Sequence, residues 1–391
     1  MYSYSERLSW SFSSNSFSRL VEEKRKAGVP LIDLTVSNPT EAFSDYPHRT
    51  IAGAYARIKD FVYRPHALGG WDSRAALARY YERRNVAVSP DQILLTASTS
   101  EAYSLLFKLF CNPGDEILAP LPSYPLFEYL AASESARIIP YSLAYDGSWY
   151  IDFASLRRQI SPRTRALVIV NPNNPTGSFL KKSEAEALFE VAQKHELPVI
   201  SDEVFMGYAF GTGMDRVGTL IGYDSVLSFS LNGLSKEAGM PQMKLAWMAI
   251  NGPEQERTTA RERLELLLDT YLSVGTPVQC ALPELLEIGE GIQAQIRLRT
   301  SKNLEALKVL LQDSPACCLH CEGGWSAIIQ LPRKLSEEEW ITRLLEEQNV
   351  IAQPGYFFDM ASEAHVVVSL ITPGDEFAEG IGRVSQLASS V

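Results

Sequence analysis

The chain has 391 residues, 46% of them hydrophobic and 21% charged, enough to bury a large core and usually more than one domain. A net charge of −11 excludes the basic footprint that nucleic acids and anionic membranes require. The start, Met1-Tyr-Ser-Tyr-Ser-Glu-Arg7, carries no apolar signal segment, and no window approaches a membrane span. A soluble protein is expected.

Taken in order, residues 1–30 begin Ser-rich and turn helical in pattern over 17–26, an arm and a first helix. Residues 31–35 read as a strand and run into the turn Val36-Ser37-Asn38-Pro39-Thr40. Tyr63-Arg-Pro-His-Ala-Leu-Gly69-Gly70 precedes a helix over 73–81. A strand over 92–96 leads into Ser98-Thr99-Ser100-Glu101, which opens a helix ending at Phe110. Such a hydroxyl-bearing helix start can be a plain N-cap, or an anion site through its free N–H groups and the helix dipole. The strand over 116–119 is followed by Pro122-Ser123-Tyr124-Pro125.

From 137 to 250 short apolar runs alternate with helix-sized intervals. The runs fall at 137–141, 166–170, 198–201, 226–230 and 245–250, and Ser183 is the expected N-cap of a helix reaching Lys194. That rhythm predicts an α/β domain on a mostly parallel sheet sandwiched by helices, with ligands at the carboxyl ends of the strands. Residues 254–312 read as long helices broken at Gly275-Thr-Pro277. Strands at 325–331, 350–355 and 365–371 and two further helices then form a smaller α+β unit. The expected division is an N-terminal arm and part of the small domain at 1–45, a large domain at 46–275 and a small C-terminal domain at 276–391. Five cysteines include Cys317-Cys318-Leu319-His320-Cys321. This run lacks the C-x-x-C pairs of zinc sites and reads as strand packing, so no metal is expected. Unpaired thiols fit a reducing, cytoplasmic setting.

Three segments sit where the predicted strands end. Asn171-Pro-Asn-Asn174-Pro-Thr-Gly177 follows 166–170, Ser201-Asp202-Glu203 follows 198–201, and Ser235-Lys236 lies just beyond 226–230. A lysine on a turn after a buried strand can be partly desolvated, which lowers its pKa and makes it an imine-forming nucleophile. In this order the motifs resemble those of the fold-type I, class I/II aminotransferases, and the resemblance covers nearly the whole chain. It implies pyridoxal phosphate as cofactor, a large domain plus a smaller one, and ping-pong transfer of an amino group between an amino acid and a 2-oxo acid through a Lys236 Schiff base.

By the same resemblance Asp202 pairs with the ring nitrogen, Asn174 donates to the phenolic oxygen, and Tyr124 and Val204 sandwich the ring. Ser98, Thr99, Ser100, Ser235 and Lys244 hold the phosphate, and Asn38 lies near the substrate carboxylate, where a plain Asn-Pro turn is the alternative. Tyr63 reaches the phosphate of the partner subunit, which implies a homodimer. Three positions depart from the family pattern. Phe205 stands where a tyrosine is usual, leaving Tyr208 as a substitute donor, and Gly233 stands where a hydroxyl residue is usual. Val367 stands where an arginine forks the substrate carboxylate. That last departure keeps open another reaction of the same cofactor, such as a β-lyase, decarboxylase or cyclase. A non-catalytic ligand-binding protein on this fold is the remaining alternative.

Overall fold

The computed structural model describes residue 2, residues 4–8 and residues 16–391; part of the expected Ser-rich arm lies outside the described residues. The chain enters through α1 (Ser16–Lys26), the short strand β1 (Ile32–Asp33), α2 (Pro39–Ala42), α3 (His48–Ala56) and α4 (Trp71–Glu82). It then alternates through β2 (Ile93–Thr96), α5 (Thr99–Phe110), β3 (Glu116–Leu121), α6 (Phe127–Ser133), β4 (Arg137–Tyr145), β5 (Trp149–Ile151) and α7 (Phe153–Gln159). The alternation continues with β6 (Thr164–Val170), α8 (Lys182–Lys194), β7 (Val199–Asp202), β8 (Ser228–Gly233), α9 (Leu234–Glu237) and β9 (Ala246–Asn251). The rest is α10 (Glu254–Tyr271), α11 (Thr276–Leu310), β10 (Cys317–Cys318), β11 (Ser326–Gln330), α12 (Glu337–Gln348), β12 (Val350–Ile351), β13 (Gln353–Pro354), β14 (His365–Ser369) and α13 (Gly374–Ser390).

The large sheet has the order β2-β9-β8-β7-β6-β3-β4-β5. Its centre, β8-β7-β6-β3-β4, is parallel throughout, and the strands there are apolar runs because helices cover both faces. β9 runs antiparallel to both β8 and β2, so β2 points the same way as the parallel centre. A second, antiparallel sheet β10-β11-β14-β13 carries the smaller unit, and β1 of the N-terminal segment pairs in parallel with β12. The α/β reading therefore holds. No helix among the described residues is long and apolar enough to cross a membrane.

Two local expectations fail for physical reasons. The strand expected at 226–230 lies at Ser228–Gly233, because β9 supplies backbone partners as far as the Gly233–Ala246 pair and carries the ladder through the polar residues Asn232 and Gly233. Ser183 is not an N-cap. Helix α8 starts one residue earlier, and the Glu184 carboxylate reaches back to accept the Lys181 N–H at 2.9 Å.

Two apolar cores share one helix. The first half of α11, from Val278 to Ile296, packs with Leu77, Tyr81 and Trp247 of the large unit, whereas Leu304 and Leu307 pack with Trp340 and Phe377 of the smaller one. Helix α11 itself begins at Thr276.

Glu203, directly after β7, is wholly buried; it accepts the Thr219 hydroxyl at 2.6 Å and the Leu220 N–H at 2.9 Å. Burial outweighs these bonds and pushes its pKa from the ordinary 4.5 up to about 7. The folded chain thus holds this proton more tightly than the unfolded one. The associated stability is complete below pH 4.5 and is lost as pH rises through 7. Glu203→Gln, which does not titrate, should escape about 3 kcal/mol of the loss that the parent suffers between these limits. Urea midpoints of the two cofactor-free proteins across that range test this, and parallel pH profiles would count against it.

Candidate active site

Five chain segments converge because five similarly directed strands end on the same edge of the sheet. Ser98 follows β2, Tyr124 follows β3, the Asn171–Gly177 loop follows β6, Asp202 closes β7, and Lys236 lies on α9 just after β8. Ligands collect at this edge of open α/β sheets.

Asp202 and Lys236 form the electrostatic centre. Asp202 Oδ2 accepts the Tyr103 hydroxyl at 3.1 Å and Oδ1 the Val204 N–H at 3.2 Å. Burial raises its pKa to about 6 against the pull of those donors and of Lys236. Burial likewise lowers the Lys236 pKa, with Asp202 opposing the shift. The Lys236 Nζ lies 4.9 Å from the centre of the Trp325 ring and 5.9 Å from that of Phe205. An amine in such apolar company is held toward its neutral, nucleophilic form.

The Asn171–Gly177 loop is self-supporting. Asn171 bonds the Leu180 N–H and the Val217 carbonyl. Asn173 Oδ1 accepts from the N–H and hydroxyl of Thr176. Gly177 has φ +69°, and a Cβ there would meet Cys321 Sγ at 2.4 Å and the Gly323 carbonyl at 2.5 Å, so only glycine fits. Asn174 is thereby left over for the site, with Oδ1 accepting the Ser326 hydroxyl at 3.2 Å.

The remaining expected residues are placed as follows. Ser98 is the N-cap of α5, its Oγ accepting the Glu101 N–H at 3.1 Å. Thr99 and Ser100 occupy the first turn, whose N–H groups have no intrahelical acceptor. Ser235 is half-buried beside Lys236. Lys244 is exposed and left-handed, φ +49°. Tyr124 is partly exposed near Asp202, and burial raises its hydroxyl pKa. Val204 packs partly buried against the core that holds Phe205. Tyr63 stands on a loop with 71% of its surface exposed. Asn38 caps α2 with its side-chain oxygen, which accepts the Thr40 N–H and hydroxyl. The expected Asn-Pro turn is present.

The three departures have local causes. Phe205 packs edge-on against Trp325, ring centres 5.4 Å apart. Tyr208 does not take over as a free donor, since its hydroxyl is committed to the Lys236 carbonyl at 2.5 Å. Gly233 pairs with Ala246, and a Cβ would meet that residue's Cβ at 2.8 Å. Gly233→Ser should therefore cost about 1–3 kcal/mol of stability by overpacking, read as a drop in thermal midpoint; an unchanged midpoint would contradict the crowding. Val367 is 1% exposed and packs with Trp149, Leu319, Ile328 and Phe358.

Tyr103, Trp325 and Ser326 are site residues that the sequence motifs do not mark. Each reaches the site from a distant segment: Tyr103 from α5, the other two from the Gly323-Gly324-Trp325-Ser326 entry into β11. The Gly-Gly pair before an aromatic residue is the only local signal.

The aminotransferase class I and II family model matches residues 64–376. Glutamate-pyruvate aminotransferase AlaA of Haemophilus influenzae is 24% identical over 380 residues, spanning 95% of this chain and 93% of the relative. Tyrosine aminotransferase of Dictyostelium discoideum is 26% identical over 342 residues, 83% of this chain and 80% of the relative. Alanine aminotransferase from Pyrococcus furiosus superposes with a TM-score of 0.89 at 24% identity over the full length of both chains, a likeness of fold. A half-buried lysine and aspartate at the strand ends, inside a family match over most of the length, lead to one conclusion: this chain belongs to the class I and II aminotransferases, pyridoxal phosphate-dependent enzymes that transfer amino groups.

Proposed function

We propose that the enzyme moves an amino group between an amino acid and a 2-oxo acid in a ping-pong cycle, with Lys236 as nucleophile and proton carrier. The observation that carries this is the neighbouring half-buried Lys236 and Asp202, each pushed by desolvation toward its neutral form. The donor set fits the cofactor. A buried carboxyl with a raised pKa is relieved by a cation, which a protonated ring nitrogen provides. The free N–H groups of the α5 start, with Ser98, Thr99, Ser100, Ser235 and Lys244, are the chemistry a phosphate needs. Tyr124 and Val204 would enclose the ring, and Asn174 would donate to its phenolic oxygen.

Pyridoxal phosphate supplies, when bound, a carbonyl for Lys236 and a ring that accepts the electrons left at the substrate Cα. Asp202 would hold the ring nitrogen's proton. Lys236 Nζ, once released, would carry the proton lost from Cα, a task suited to an amine whose pKa burial has lowered. Trp325 and Phe205 would keep water from that amine.

A homodimer with Tyr63 acting on the partner's phosphate site is part of this reading, supported by the exposed run Phe61, Val62, Tyr63 and nearby Trp71. So is a cytoplasmic location, supported by five unpaired cysteines. We also read the chain as an N-terminal segment, a large cofactor-binding domain and a small domain, divided near residues 45 and 275. One observation keeps a second reading alive: at the expected arginine position β14 carries Val367, packed among apolar side chains, which favours another reaction of the same cofactor.

Visible spectra of the loaded enzyme before and after a panel of amino acids, including glutamate and alanine, separate the two. Conversion to a stable pyridoxamine form by a donor, reversed by a 2-oxo acid, is the expected result. Release of ammonia or carbon dioxide without that form would establish the second reading instead.

A further inference from the structure

Lys236 stands on a helix of four residues with no side-chain cap. One helical turn does not hold itself in place, so the direction of the amine must be fixed by something else. The residue that does so is the next in the chain. Glu237 is 5% exposed. Its Oε1 accepts the Tyr80 hydroxyl from α4 and the Gln293 Nε2–H from α11, the latter at 2.9 Å, while Oε2 accepts the Asn232 Nδ2–H from β8 at 3.3 Å. Gln293 Nε2 also donates to the Glu237 backbone carbonyl at 2.9 Å.

The arrangement is closed around this carboxyl group. The Arg84 guanidinium lies 3.6 Å from the centre of the Tyr80 ring, putting a cation behind the tyrosine. A Cβ on Gly207 would meet Gln293 Nε2 at 2.2 Å, so the segment following Asp202 is pressed against the same glutamine. From the opposite side the Tyr208 hydroxyl holds the Lys236 carbonyl. Burying a carboxyl group costs several kcal/mol unless every acceptor is used. An apolar side chain would anchor a turn without that cost, but it would not fix the turn's orientation from three elements at once.

We propose that Glu237, bonded to Tyr80 and Gln293, is a positioning residue that sets the direction in which Lys236 presents its amine. The proposal rests on the nucleophilic role of Lys236. The Glu237 carboxylate is spent on Tyr80, Gln293 and Asn232, so its loss should slow bond formation at Nζ without weakening the hold on the phosphate.

The test mixes cofactor-free enzyme with pyridoxal phosphate in a stopped-flow instrument and follows the visible band of the covalent adduct against concentration. In Glu237→Gln the amide sets a donor against Asn232 or Gln293. The maximal rate should fall about 10-fold or more, since small misplacements of a reacting group are costly. The half-saturating concentration should stay near the parent's, and the thermal midpoint should fall by a few degrees yet stay above the assay temperature. Tyr80→Phe, which loses one hydroxyl and keeps the ring, should slow the same step. The double variant should be no slower than Glu237→Gln, because both act through one network. Maximal rates within about twofold of the parent in variants that are folded at the assay temperature would overturn the proposal alone. Should Glu237→Gln fail to fold, Tyr80→Phe decides. A parent that forms no band, or a Lys236→Ala protein that forms the same one, would overturn the role of Lys236 and this proposal with it.

Discussion

With Lys236 replaced by alanine, amino-group transfer falls by about four orders of magnitude, the upper range for a group that moves a proton in the rate-limiting step, and the visible band of the loaded enzyme disappears. The fold should survive. The amine lies over the Trp325 and Phe205 rings, but the turn it stands on is held by Tyr208 and Glu237 through groups that the substitution leaves in place. Activity and absorbance therefore vanish while the far-ultraviolet circular dichroism and thermal midpoint stay close to the parent's. Added methylamine should restore part of the rate, because it supplies the missing base without the tether. A variant retaining a tenth of the parental rate would show that another group carries the proton.

The second large effect belongs to Asp202. Asp202→Asn keeps the shape and one acceptor but removes the charge, and the rate should fall about 10²–10³-fold, the scale of a lost preorganised electrostatic contact. Its pH dependence is the sharper sign. In the free protein the carboxyl takes up a proton as pH falls through about 6, so cofactor binding that needs the anion weakens below that value. A ring cation beside it pulls the midpoint lower, and the acid limb of the loaded enzyme should lie below that of the free protein. Titrations of cofactor affinity against pH should show the limb in the parent and none in Asp202→Asn. The same limb in both proteins would assign it to some other group.

Much of this architecture was legible in the chain because a parallel sheet writes itself as separated apolar runs. The runs ending at Val170, Ser201 and Ser230 located the edge where Asn174, Asp202 and Lys236 gather, and motif order supplied their roles. What stayed hidden was every contact joining distant segments. Tyr103 lies 99 residues from Asp202, and Tyr80 lies 157 from Glu237; no periodicity links such pairs. Trp325 follows two glycines in a stretch that reads only as a strand entrance. The end of β8 was misplaced because Asn232 and Gly233 look like a turn, while the neighbouring β9 pairs them as strand. Asn38 shows the converse: its local turn chemistry, legible in Asn-Pro, is the arrangement the structure contains.

Helix α11, at 35 residues, is about 52 Å long at 1.5 Å per residue, and it is anchored in two bodies of protein. Mechanically it is a lever. Gln293, against the turn that carries Lys236, sits near its middle, and Leu307 lies about 21 Å further along, deep in the smaller unit. A tilt of about 5° pivoting at Gln293 would carry Leu307 through roughly 2 Å. The reactive amine, being at the pivot, barely moves. A displacement of the smaller unit carried by this helix would therefore leave the aim of the amine unchanged.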